Sequence, residues 1–530
     1  MSEVAPRLAR SAGLFGLATM ASRLLGLVRD QVLAYYFGTG DAIEAFRVAF
    51  RVPNLVRDLF AEGAMSAAFV PTFTADLTTG GKARAWKLAN SVVTALVLVT
   101  GGLVVVAMLF AEPLVHVYAE GFEQVPGKLD LTVYLTRIMV PFLTLVAVAA
   151  VFMGMLNSLG HFFVPALSPA MFNVATIVII VPLVPFADEF GIHPIVLVAI
   201  STIVGGLGQL LIQWRPLRGE GYRYRPTLDV RDPALGRVLL LMGPGTVGLA
   251  ATQINLFVNT RFASGEGTGA IAALDYAFRV MYLPIGLFGV SIAAASTPAF
   301  SRQVASGDRT QLKSTVASAI GLMLALNVPA TIGLIVLAPA IIALIFEHGR
   351  FTATDTMATA GALQFYAVGL VGYSVVRIVS PAFYALRRSR VPVAASIVSV
   401  AANVVLAVVL VRMMSFEGLA LATSLAAIVN ACIQLVLLRR ELGGIEAGRI
   451  ALTLAKTTVA GLAMGAAAWY TEWWLRTALP GEAIGLQALR VFGAIGVALA
   501  VLTAAAWVLR LHEFEHARSM ILRRFRRASP

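Results

Sequence analysis

Charge is scarce in this chain. Asp, Glu, Lys and Arg make up 13% of its 530 residues, about half the share of a soluble domain. Cysteine is nearly absent. The single Cys432 lies in an apolar stretch, which excludes an intrachain disulfide and fits a packed thiol. These shortages exclude a soluble enzyme, a disordered scaffold and a secreted cystine-rich module. What the chain has instead is apolar side chains, 58% of all residues, with a mean hydropathy of +0.83. A hydrocarbon core about 30 Å thick needs roughly 20 apolar residues per helical span. The length therefore leaves room for more than ten spans with short loops and no sizeable soluble domain.

Apolar runs separated by charge, glycine and proline predict fourteen helices. They cover 11–36, 43–74, 87–111, 131–157, 163–186, 193–214, 236–262, 270–301, 312–346, 354–386, 391–411, 416–438, 450–472 and 484–511. Arg7 and Arg10 precede the first run as in a signal peptide. That run continues through Arg23, Arg29 and Asp30 with no compact apolar centre, so it reads as a retained span. Basic residues fix the direction. With both termini cytoplasmic, the inside loops and tails hold 26 Lys and Arg, and the opposite loops hold 5: Lys128, Arg261, Arg350, Arg412 and Arg476. The net charge of +13 is thus read as arginine-rich cytoplasmic loops rather than as nucleic-acid binding. A faint repeat is also present. Phe69-Val70-Pro71 is paralleled by Ser296-Thr297-Pro298, and Val164-Pro165 by Val391-Pro392, both at an offset of 227. This points to two parallel six-helix units followed by two further helices. The corresponding divisions are 1–225, 226–445, 446–511 and a basic cytoplasmic tail, 512–530.

The first two spans carry charges that hydrocarbon would not tolerate: Arg23, Arg29, Asp30, Arg47, Arg51, Arg57, Asp58 and Glu62. Span 8 adds Arg279. An arginine at mid-membrane costs roughly 2.5–3.5 kcal/mol even on insertion scales. The set must therefore line a wet cavity or pair internally. Glu44, Arg47, Arg51, Asp58 and Glu62 recur at helical spacing, and Arg23 and Asp30 share a face of span 1. Pro53, lacking an N–H and crowding the carbonyl of Ala49, is expected to interrupt span 2. Arginine outnumbers acid here, which calls for an anionic guest. Guanidinium forks match phosphate oxygens and keep their charge when desolvated. The competing structural reading makes these charges internal ion pairs or snorkelling side chains, and it is preferred for Arg137, Arg377 and Lys456 near span ends.

These residues resemble a known family. Ser22-Arg23-Leu24-Leu25-Gly26-Leu27-Val28-Arg29-Asp30 resembles one signature of the MurJ/MviN lipid II flippases. A second runs from Pro53-Asn54-Leu55-Val56-Arg57 through Phe60-Ala61-Glu62-Gly63-Ala64 to Phe69-Val70-Pro71. The resemblance continues through Met242-Gly243-Pro244 and Phe346-Glu347-His348-Gly349-Arg350. It implies an all-α membrane fold of the multidrug/oligosaccharidyl-lipid/polysaccharide exporter superfamily: two six-helix lobes in a V around a central cavity, and two C-terminal helices forming a lipid-tail groove. It implies movement of the lipid-linked peptidoglycan precursor, lipid II, from the inner to the outer leaflet of the bacterial inner membrane, without covalent chemistry or cofactor. Cell-wall synthesis machinery is the implied protein partner. The matching headgroup positions are Arg23, Arg29, Arg57, Arg279 and Arg51. The acidic positions are Asp30, Glu44 and Glu62, and Pro53 and Asn54 are the hinge. Two departures stand out. Phe278 and Tyr282 replace acids that the family often has near the span-8 arginine. Gln253, Asn255, Asn259 and Asn403 stand on the spans where some members hold sodium with aspartates, so sodium coupling is not expected.

Two rival functions remain open on the sequence. His512, Glu513 and His516 fit the spacing of a zinc metalloprotease, whose site needs a third ligand. The other histidines lie scattered near loops, at 116, 161, 193 and 348. The second rival is an exporter of another polyprenyl-diphosphate-linked saccharide, which the same arginines would also serve.

Overall fold

The computed structural model describes residues 4–57 and 65–511, which contain helices and connecting chain but no strand. Eight of the described helices are long and apolar enough to cross a membrane. A ninth crossing is added if Ala353–Val368 and Leu370–Ala385, bent by 40°, form one span. Two of the long helices contain breaks. Met65–Leu109 is broken at Gly81 (φ 72°), and Arg390–Leu442 at Ser415 (φ 55°). Positive φ is ordinary for glycine but costs a serine on the order of 1–3 kcal/mol.

Two compact units are formed, Met1–Ala272 and Ala273–Pro530. The first contains α1 (Val4–Phe37), α2 (Asp41–Arg57), α3 (Met65–Leu109), α4 (Ala111–Tyr118) and α5 (Lys128–Met139). It continues with α6 (Phe142–Ser158), α7 (Phe163–Leu167), α8 (Ala170–Leu183), α9 (Pro194–Gly219) and α10 (Pro233–Ala263). One of its cores joins Phe69 and Phe73 of α3 to Phe152 and Met155 of α6 and to Tyr222. Trp86 bridges Phe73 and Tyr222 with ring centroids 5.7 and 5.2 Å away. Leu235 and Val238, at the start of α10, enter the same core, so the unit extends one helix past residue 225. Asp232 caps α10 by accepting from Ala234 N at 2.9 Å.

Glycine lets these helices approach closely. A Cβ on Gly205 would stand 2.8 Å from Phe172 Cα, and one on Gly206 would stand 2.9 Å from Phe142 Cδ2. The run Gly205-Gly206-Leu207-Gly208 thus serves packing, as in other membrane helix pairs. Pro53 departs from expectation. It is buried, and α2 runs through it to Arg57. The lost bond to Ala49 is absorbed inside the helix instead of ending it, with Val52 packed near Val104, Val140 and Leu143.

The second unit takes up α11 (Ala270–Pro284) after its first turn. It continues with a π-helical turn, Ile285–Gly289, and then α12 (Val290–Ala305) and α13 (Arg309–Phe346). These are followed by α14 (Ala353–Val368), α15 (Leu370–Ala385), α16 (Arg390–Leu442), α17 (Ala447–Ala478) and α18 (Ile484–Val508). Proline explains the irregular turn, since Pro284 has no N–H to continue the α pattern. Phe300, Ile320, Met323, Ile378, Phe383 and Leu438 form the main core. A second core joins α13, α17 and α18 through Leu337, Ala460, Met464, Ala494 and Ala498. The outward surface is apolar as well, with Leu109, Met413 and Trp507 among its most exposed side chains. That surface suits hydrocarbon, not water.

Gly372 faces backbone on α16, where a Cβ would lie 2.8 Å from both the Ala427 carbonyl carbon and Ile428 N. Gly372→Ala should destabilise the protein by about 1–3 kcal/mol, read as a lower thermal midpoint in detergent. Gly496→Ala, inside α18 with nothing within 4 Å, should not lower it, since alanine is the better helix former. A second prediction concerns Glu220, which pairs with His161 Nε2 at 2.8 Å and Lys82 Nζ at 2.9 Å. His161 first, then Lys82, holds its carboxyl below the ordinary value of 4.5. A depressed carboxylate contributes stability that is complete above the unfolded value and lost as pH falls through the folded one. Wild-type and Glu220→Gln thermal midpoints should therefore differ at neutral pH and converge at pH well below 4.5.

Candidate anion-binding site

Local sequence sets the first charged pair. Arg29 and Asp30 are neighbours on α1, and the guanidinium bends back to the carboxylate, with Nη2 2.7 Å and Nε 3.2 Å from Oδ1. Asp30 is 2% exposed and the Arg29 side chain 12%. The other side of the guanidinium lies 5.2 Å from the centre of the Phe172 ring, a cation–π contact strengthened by burial. Phe172 is itself held by Phe50 and Phe142, at 5.4 and 5.8 Å. Arg23, seven residues before Asp30, is exposed. The shared face is thus graded in burial, and the partner seen for Asp30 is its neighbour in sequence.

On α2 the charges diverge. Arg51 Nη1 donates to the Leu256 carbonyl at 3.3 Å and to Thr260 Oγ1, which ties α2 to the last turns of α10. Arg47 is half-buried. Glu44 is fully buried, and both of its oxygens have partners: Oε2 meets Lys128 Nζ at 2.6 Å, and Oε1 accepts from Ile271 N at 2.7 Å and Ala272 N at 3.3 Å. Those two N–H groups open α11, where a carboxylate satisfies orphan donors and meets the positive end of the helix dipole. Lys128 also pairs with Asp41 Oδ1 at 2.8 Å and stands 4.2 Å over the Phe122 ring. Asp41 accepts from Thr268 as well, at 2.7 Å. Lys128, read from sequence as a loop residue, is therefore the buried counter-ion of Glu44. Nothing in the spacing could reveal it, because the two are 84 residues apart.

Pro53 is buried and Asn54 half-buried, one turn from the end of the described part of α2 at Arg57. Asp58 and Glu62 lie outside the described residues, as do His512, Glu513, His516 and the rest of the 512–530 tail. Among the described residues, no group of three His, Cys, Asp or Glu side chains could hold a metal.

In the second unit Arg279 is exposed on α11. Its neighbours Phe278 and Tyr282 stack at 5.8 Å, and Phe278 meets Tyr366 edge-on at 5.4 Å. Arg377 hydrogen-bonds the Tyr282 hydroxyl and lies 5.6 Å from its ring centre. An aromatic group thus occupies the positions at which this sequence departs from the acids of the family it resembles. Gln253 and Asn403 are buried polar groups on α10 and α16.

The first unit therefore offers guanidinium at two levels of burial, with carboxylate, aromatic and hydroxyl partners, in helices whose surroundings are hydrocarbon. Such an arrangement can receive phosphate-like anions. Comparison with known proteins agrees with a transport protein. The family description "Lipid II flippase MurJ" matches residues 33–484. A relative from Bdellovibrio bacteriovorus, "Probable lipid II flippase MurJ", is 33% identical over 522 residues, 98% of each chain. One from Vibrio cholerae with the same name is 33% identical over 435 residues, covering 81% of this chain and 82% of its own. Among solved structures, "Lipid II flippase MurJ, inward closed conformation" superposes with a TM-score of 0.75 at 26% identity, over 94% of this chain and 99% of its own. An inward-facing MATE transporter of the MOP superfamily gives 0.67 at 17% identity, over 82% and 98%, a likeness of fold.

The Glu44–Lys128 pair can be tested directly. Lys128→Met leaves a buried carboxylate without its counter-ion and should cost about 3–5 kcal/mol. Adding Glu44→Gln should recover a large part of that loss, because the charge is then gone from both sides. Thermal midpoints of the two single variants and the double variant measure the coupling.

Proposed function

The chain belongs to the lipid II flippase MurJ family, and we propose that it carries lipid II across the bilayer by binding the diphosphate on arginines of α1, α2 and α11. Arg29 supplies the observation that best supports this reading. A guanidinium 12% exposed inside a membrane helix is costly unless it has work to do, and Arg29 pairs with the adjacent carboxylate of Asp30 at 2.7 Å. A diphosphate brings more negative charge and more acceptor oxygens than Asp30, so it competes for the same N–H donors. When the guest leaves, Asp30 takes the guanidinium back. Arg23 and Arg279, both exposed, would reach the guest first, with Arg57 and Arg51 completing the cationic set. Glu62 would temper that charge in the empty state.

The work is transport by alternating access, with no covalent step and no cofactor. Spans 1–6 rock against spans 7–12, and Pro53 and Asn54 supply bending in α2. The polyprenyl chain stays in lipid along α17 and α18. The 26-to-5 division of basic residues between its loops supports cytoplasmic termini, and a lipid II substrate made on the cytoplasmic side supports the bacterial inner membrane. An anion leaving the cytoplasm moves with an inside-negative potential, which is worth roughly 2.3 kcal/mol per charge per 100 mV. That gradient would bias the cycle outward without a cotransported ion, and cell-wall synthesis enzymes take the delivered substrate.

Vesicles reconstituted with purified protein and labelled lipid II measure flipping directly. Arg29→Ala and Arg279→Ala should each abolish transport with amounts in the membrane near wild type; the thermal midpoint should stay near wild type for exposed Arg279→Ala and fall for Arg29→Ala, which takes the counter-ion from buried Asp30. Normal transport by both variants would overturn the assignment. Competition by other polyprenyl-diphosphate saccharides in the same vesicles separates lipid II from the wider substrate class.

A further inference from the structure

The connection between α9 and α10 carries a pattern that transport does not use. From Tyr222 to Asp229 the backbone is neither helix nor strand, yet its side chains alternate. Tyr224, Leu228 and Val230 are apolar and 38, 45 and 77% exposed. Arg223 and Arg225 stand between the early members and are exposed too.

Three contacts fix the depth of this segment against α3. Asn90 Nδ2 donates to the Arg223 carbonyl at 3.4 Å, Thr227 N donates to Thr94 Oγ1 at 3.3 Å, and Lys87 Nζ pairs with Asp229 Oδ2 at 3.0 Å. The Tyr224 hydroxyl is also 3.2 Å from Thr94 Oγ1. The chain therefore dips from the level of Asn90 to that of Thr94 and returns to that of Lys87. At 1.5 Å per residue, Thr94 lies about 10 Å beyond Lys87 along the helix. That is the depth to which interfacial elements settle between headgroups and acyl chains. Irregular backbone facing lipid is tolerated there, and not in the hydrocarbon below.

The local acids are already engaged. Asp229 is paired with Lys87, Glu220 with Lys82 and His161, and Asp232 with the N terminus of α10. The charge of Arg223 and Arg225 is left for a partner outside the protein. Exposed apolar side chains beside them point to a partner with an oily layer under its negative charge.

We propose that residues 223–230 form an interfacial binding site for anionic phospholipids, with Arg223 and Arg225 on the headgroup phosphates and Tyr224, Leu228 and Val230 at the acyl boundary. A soluble acidic protein would satisfy the arginines but not the three apolar side chains at that depth. The site is independent of the lipid II reading. Its cytoplasmic placement follows the loop charges, but the binding chemistry does not depend on it.

The test uses the full chain with Cys432→Ser and Val230→Cys, labelled with an environment-sensitive dye, in nanodiscs. Quenching by acyl-chain nitroxide carried on phosphatidylglycerol is compared with quenching by the same nitroxide on phosphatidylcholine. The anionic carrier should quench roughly threefold more strongly, as expected when two arginines enrich it locally. Arg223→Gln/Arg225→Gln should bring the ratio to about one, with thermal midpoint and elution volume unchanged. A label at Leu109→Cys, a highly exposed site at the far end of α3, should give about one throughout. Equal quenching by both lipids in the parent protein would overturn the proposal, as would a ratio that survives loss of both arginines. Absence of quenching by either lipid, the result for a segment that meets a soluble protein instead, would overturn it as well. Flipping assays on the same variants report separately on transport.

Discussion

Ionic groups inside a low-dielectric span must be answered locally, and the first unit is organised around that requirement. The answers differ from one residue to the next. Arg29 is met by an adjacent carboxylate and a ring face, Arg51 by a carbonyl and a hydroxyl, and Glu44 by an ammonium and two helix-opening N–H groups. Each answer also joins elements distant in sequence. The Glu44 set brings together the starts of α2, α5 and α11. The Arg51 contacts draw α10 toward α2, and the Arg29 contact seats α1 on α8. Polar chemistry supplies specificity of assembly where apolar packing alone would be permissive, because lipid tails compete with every apolar contact.

The sequence made the broad architecture legible because membrane helices obey a strong rule. Backbone groups must pair within the segment, so long apolar runs translate almost directly into helices. Violations of that rule marked the interesting region equally well, since Arg23, Arg29, Arg51 and Arg279 stand out against their surroundings. What stayed hidden was pairing across distance. Lys128 counted as one more loop cation until its ammonium was found on Glu44, and Phe172 gave no sign that it would sit under a guanidinium. Pro53 misled for a different reason. Helix rules for water penalise a missing hydrogen bond heavily, whereas a buried helix with neighbours on several sides can carry the defect for another turn. The expected division between 391–411 and 416–438 gave no sign that Ser415 would take a positive φ at the break within Arg390–Leu442.

The aromatic group in the second unit qualifies the family likeness. Where acids commonly stand, Phe278 and Tyr282 stack on each other, and Tyr282 is engaged by Arg377. The hydroxyl and π face of Tyr282 serve Arg377, so at these two positions rings take the place of carboxylates.

The π turn between α11 and α12 has a mechanical meaning. Such a turn houses one residue more than an α turn, so the helix beyond it is rotated by about 100° relative to an uninterrupted one. Beyond that turn, Phe300 lies buried in the core of the second unit. Loss of a single residue between Ile285 and Gly289 would let the helix close into regular α form and swing the buried side of Val290–Ala305 toward lipid. The irregularity therefore works as a phase adjuster, allowing one helix to present Arg279 in one direction and a core-forming side in another.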